Sequence, residues 1–120
     1  MTDEEVLAFV QASIPSVWAL ELLLLVRRDS NREWRANALV RELRSTDIVV
    51  QDALAALQSA GMIVGQDGIY RFQPASPALD TLVAETAKIY AIKPVSVIRA
   101  IVTAPNDKLR TFANSFKLKE

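Results

Sequence analysis

Seven arginines fall between residues 27 and 71: Arg27, Arg28, Arg32, Arg35, Arg41, Arg44 and Arg71. A guanidinium is a fixed cation with a planar fork of donors, and its natural partner is a phosphate or a carboxylate. Arg41, Arg44 and Arg71 are the candidates for a phosphate-contacting rim, because Arg41 and Arg44 flank a turn and Arg71 sits in a β-rich run. The competing reading is a solvated face balanced by Asp29, Glu33 and Glu42. Among neutral groups, the Gln51 amide could pair with a base edge, and the Thr46 hydroxyl could reach a phosphate. Trp34 and Tyr70 could stack on a base or plug a small-molecule pocket, although such aromatics more often anchor a sheet to its core.

Other chemistry is excluded by composition. The 120 residues contain no histidine and no cysteine. That removes disulfides, thiolate zinc sites, cysteine nucleophiles and histidine general bases. There is no glycine-rich phosphate loop, no metal-ligand spacing and no carboxylate pair in a recognisable motif. The chain therefore reads as a non-enzyme with no cofactor or metal.

With 51% hydrophobic and 23% charged residues, the chain has the make-up of one globular domain. Net charge is zero, but residues 1–70 carry six Lys and Arg against ten Asp and Glu, a net −4, and residues 71–120 carry the compensating +4. Within the first part, residues 27–44 hold six arginines against three acids, a local +3. A dedicated DNA-binding domain is usually basic overall, and this chain is not. The N-terminus MTDEEVLAF is acidic where a secretory signal would be basic. With no cysteines to suggest an oxidising compartment, this fits a cytoplasmic location. The apolar run around Leu22–Val26 is broken by Glu21 and closed by Arg27-Arg28, too short for the roughly 20 residues that span a bilayer.

The elements that must position these residues follow from periodicity. Residues 1–12 read as a short helix with acids at its start. Pro15 suits the first turn of the next helix, residues 16–28, which is apolar on nearly every face and belongs at the centre of a domain or between subunits. Residues 29–35 form a polar connector, in which Glu33-Trp34-Arg35 could be a short strand. Leu39, Val40 and Leu43 mark a helix over residues 36–43. Ser45 or Thr46 caps the next helix, whose inward stripe is Val50, Leu54 and Leu57 and which ends at Gly61. A hairpin around Gly65-Gln66-Asp67-Gly68 joins Met62-Ile63-Val64 to Ile69-Tyr70-Arg71-Phe72. Helices are then expected over about 77–90, 95–102 and from Asn106 onward, the last with the stripe Leu109, Phe112, Ala113, Phe116.

The stretch Leu54–Val64, LAALQSAGMIV, resembles the bacterial winged helix-turn-helix regulators of MarR-like and PadR-like layout. There a recognition helix ends in Leu-x-x-Ala/Lys-Gly-Leu/Ile before the first wing strand. Leu57 takes the leucine, Gly61 the glycine, and Met62 and Ile63 the start of the wing; Leu39–Leu43 is similar to the preceding L-x-x-x-L helix. The likeness covers about residues 14–73. It implies a mainly α fold, a winged helix-turn-helix with a two- or three-strand β wing and additional C-terminal helices. Residues 1–73 would be the core with its N-terminal helix, and 74–120 a helical extension within one domain.

Two functions follow. The first is a DNA-binding transcriptional regulator acting as a homodimer, with Arg41, Arg44 and Arg71 on phosphates, Thr46 beside them and Gln51 on a base. It predicts an affinity that falls steeply with salt and is lost in Arg44→Ala or Arg71→Ala. The helix over 47–59 nevertheless has no Lys or Arg, and its outward positions are Asp47, Ile48, Val49, Gln51, Asp52, Ala55 and Gln58. Ile48, Val49 and Asp52 therefore support an alternative: a winged-helix protein-interaction module, such as an adaptor, anti-activator or polymerase-associated factor. The stripe Leu79, Leu82, Val83, Thr86, Tyr90 is the expected dimerisation surface, the competing reading being that it simply closes the monomer core. Lys108, Arg110, Lys117 and Lys119 with Phe112 and Phe116 form a basic amphipathic end that could touch nucleic acid, a membrane surface or an acidic partner, or simply pack by its phenylalanines. No membrane partner is expected.

Overall fold

A computed structural model describes residues 1–103 of the protein. The expected last helix and the basic end after Asn106 lie outside the described residues.

The described chain is mainly helical, with one small antiparallel sheet. In order, it runs α1 (Asp3–Ser13), α2 (Val17–Arg28), β1 (Trp34–Arg35), α3 (Ala36–Leu43), α4 (Asp47–Ser59), β2 (Ile63–Gln66), β3 (Ile69–Phe72), α5 (Pro77–Ile92) and α6 (Pro94–Val102). Among the described residues no single helix is long and apolar enough to cross a membrane.

Hydroxyl caps set most helix starts. The side chains of Thr2, Ser16, Thr46 and Ser76 accept from the backbone N–H of Glu5, Ala19, Val49 and Leu79, at 3.0 to 3.3 Å. Each satisfies a donor that the first helical turn leaves unpaired. Because Ser16 is the cap, Pro15 lies just outside α2 rather than in its first turn.

α3 and α4 end in the same way. Ser45 N–H donates to Val40 C=O and Arg44 N–H to Arg41 C=O; Met62 N–H donates to Leu57 C=O and Gly61 N–H to Gln58 C=O. This pairing needs one left-handed residue. Gly61 supplies it at φ +79°, and Arg44 does the same at φ +55°. The second case is costly, since a side chain in that region meets its own backbone.

α2 is the centre of the core. Ala19, Leu20, Leu22, Leu23, Leu25 and Val26 are all buried. α2 packs on α3, α4 and β3, and α1 packs on α5 and α6. Val50, Ala53, Leu54 and Leu57 of α4 face inward, as the spacing predicts.

The sheet order is β1-β3-β2, all antiparallel. The connection between β2 and β3 is tighter than the four-residue turn expected: β2 runs through Gln66, and only Asp67-Gly68 turn. Both have positive φ, 55° and 77°, which matches the twist of a two-residue hairpin and explains the Asp-Gly pair. Gly65 faces Tyr70 across the ladder. A Cβ on Gly65 would stand 2.6 Å from the Tyr70 ring, so glycine is what lets the ring lie over β2.

The expected dimer stripe on α5 needs correction. Val83, Thr86 and Ile89 are buried inside the chain's own core. Leu79 and Tyr90 are half-buried against that core, and Leu82 is half-buried too. α5 has both α1 and α6 to cover, and the interior of one protomer consumes its apolar side. Val83 offers no surface to a second copy.

Candidate functional site

The candidate residues fall on three consecutive elements. Arg41 is exposed on the last turn of α3, Arg44 is exposed at its left-handed end, and Thr46 caps α4. These three share one turn. The Thr46 oxygen is already an acceptor for the Val49 N–H at 3.3 Å, which leaves its hydroxyl proton free to donate. Gln51 is exposed about one helical turn further on. Arg71 lies apart, on β3. Gln58 Nε2 donates to Gly65 C=O at 3.4 Å, so the sheet sits beside the far end of α4. Thirteen residues of α4 make a rod about 20 Å long, and the candidate cations lie at its two ends.

The outer side of α4 itself is acidic and apolar. Asp47, Ile48, Gln51, Asp52, Ala55 and Gln58 are exposed, and Ile48 keeps 75% of its surface in solvent. Val49 is half-buried and so belongs only partly to that outer face.

Among the described residues the ion pairs are Lys88–Glu85 and Lys93–Asp3, at 3.4 and 3.1 Å. None involves an arginine of residues 27–71. The neutralisation by Asp29, Glu33 and Glu42 that the sequence allowed is thus not made by direct contact. Two of these arginines have other engagements. Arg71 Nη2 donates to Gln73 Oε1 at 2.5 Å, which orients the guanidinium without discharging it. Arg32 lies 3.6 Å above the Trp34 ring. Trp34 is buried and anchors β1 to the core, so it is no platform for a base.

Arg35 is the residue the sequence reading undervalued. It pairs with Ile69, while Trp34 pairs with Tyr70. Strand alternation then puts Arg35 on the outer face of the sheet, with Ile69 and Arg71 of β3 and Val64 and Gln66 of β2. The inward Trp34 was the available signal, since its neighbour in a strand must point outward. Beside this face is an open groove of about 350 Å³ lined by Glu33, Val64, Gly65, Gln66, Asp67, Ile69 and Arg71.

Among the described residues, the group that clearly departs from its ordinary value lies elsewhere. Tyr90 O–H donates to Glu21 Oε1 at 2.6 Å, joining α5 to α2. That hydrogen bond, then burial, then the Glu21 charge push the phenol up to about 12.

The chain matches no protein-family model, no curated protein and no solved structure. The reading of its function rests on its own residues.

Proposed function

We propose that the protein is a winged helix-turn-helix regulator that binds double-stranded DNA. In this reading α3 and α4 are the helix-turn-helix, and the β2–β3 hairpin, joined by β1, is the wing. One observation carries it: a two-helix corner followed directly by a hairpin sheet, with exposed arginines at both ends that have no ion-pair partner among the described residues. Arg41, Arg44 and Thr46 contact phosphates at one end of α4 and Arg71 at the other. Gln51 is its base reader. Two copies would occupy half-sites roughly 34 Å apart. Their contact cannot use Val83; among the described residues, Ile92, Val95 and Val102 are large apolar side chains exposed on and beside α6.

The test is fluorescence anisotropy of a labelled random duplex over a salt series. Wild type should bind with a log–log salt slope of several units, and Arg41→Ala should lower that slope by about 1. Absence of binding even at low salt would sink this reading.

A second reading is favoured by a separate observation: α4 exposes Ile48 between Asp47 and Asp52 and has no cation. Such a face suits a protein partner. In that case Ile48→Asp and Val49→Asp abolish capture of the partner while the fold is retained.

A further inference from the structure

We propose that the link between Asp67 and Gly68 is a self-modification site, at which the folded protein converts aspartate to isoaspartate through a cyclic imide. The inference is independent of the DNA-binding reading.

The step needs no catalyst, oxidant or cofactor. The Gly68 backbone nitrogen attacks Asp67 Cγ and an N–C bond forms. The hydroxyl of the carboxyl group leaves with the nitrogen's proton as water. A second water then opens the ring. Opening at Cγ restores aspartate. Opening at the Asp67 main-chain carbonyl leaves the chain running through Cβ and Cγ, with the carboxylate on Cα.

Such an attack requires an accessible nitrogen that is not already donating, and a carboxyl group with no cation holding it. The hairpin tip supplies both. Asp67 and Gly68 are exposed. Gly68 has no side chain to shield its nitrogen, and a Cβ there would meet nothing within 4 Å. Among the described residues the Gly68 N–H donates to no backbone carbonyl, and Asp67 has no ion pair.

The other described aspartates are placed differently. Asp52 and Asp80 lie in α4 and α5, where the following N–H belongs to the helix ladder. Asp47 precedes Ile48, whose branched side chain crowds the nitrogen. Asp3 is paired with Lys93. Asp29 is the nearest rival, but Ser30 after it carries a side chain. Conversion at Asp67 has a structural consequence. Gln66 pairs with Ile69 across a two-residue turn in which both residues have positive φ. An extra main-chain carbon does not fit that turn, so the end of the ladder beside the groove opens.

The experiment is prolonged incubation of the full chain at physiological temperature and pH, with isoaspartate located by peptide mapping. A synthetic peptide of residues 63–72 serves as the unstructured reference, and circular dichroism follows the fold throughout. Isoaspartate should appear at Asp67 within several-fold of the peptide's rate, ahead of Asp29, and while the circular dichroism is still native. Asp67→Asn keeps a residue that suits the turn and closes the same ring by losing ammonia. It should convert several-fold faster than wild type, with the gain of a negative charge seen on native electrophoresis. An Asp67 that stays intact in the folded chain while the peptide converts overturns the proposal. So does conversion that is equal at Asp29, or that begins only after the native signal is lost.

Discussion

Arg44 is asked to do two things at once. Its backbone closes α3 in the left-handed region at φ +55°, a place where glycine or asparagine is at ease and arginine is strained. Its side chain points charge into solvent at the start of α4. Replacing it by glycine separates the two roles. Arg44→Gly should keep the fold and raise stability by up to about 1 kcal/mol, read as a shift of the urea midpoint, because relief of strain outweighs the added freedom of the unfolded chain. The same variant should bind DNA several-fold more weakly. A variant both less stable and equally good at binding would show that the side chain serves packing and not phosphate.

α4 depends on its ends more than on its composition. Three β-branched residues in a row, Ile48-Val49-Val50, open it, and these are indifferent helix formers. The Thr46 hydroxyl holding the Val49 N–H and the Asp47 carboxylate at the positive end of the helix dipole compensate. Thr46→Ala should therefore cost about 1 kcal/mol, and Thr46→Ser far less, by thermal unfolding. The cap was legible from the sequence because its chemistry is local. So were the presence of a hairpin over residues 65–68, though not its two-residue turn, and the closing Gly61. The direction in which α5 faced was not legible: Leu79, Leu82, Val83 and Tyr90 make an apolar stripe whether a second copy or the same chain covers it.

At the scale of the molecule, α5 and α2 are tied by Tyr90 and Glu21, 69 residues apart in sequence. The hydrogen bond is made by the neutral phenol, so the folded state holds that proton more tightly than the unfolded chain does. The phenol's folded value of about 12 exceeds its ordinary value of 10.0. The stabilisation is then fully present below pH 10 and is lost as the pH rises through the window from 10 to 12. Tyr90→Phe should lower stability by about 1 kcal/mol at neutral pH. The gap between variant and wild type in thermal melts should close as the pH approaches 12. A gap independent of pH over that window would mean that the ring's packing, and not its hydroxyl, supports the contact.

The sequence by itself determined the order of the described elements, several of the caps that start and close them, the absence of histidine and cysteine chemistry, and the inward stripe of α4. Each of these depends on residues within a few positions of one another, where helical or strand periodicity and capping rules operate. Only the tertiary structure decided that α5 spends Val83, Thr86 and Ile89 on the chain's own interior. It alone put Arg35 beside Arg71 on one sheet face and brought Tyr90 to Glu21. Strand register and helix packing join residues tens of positions apart, and no local pattern carries that information.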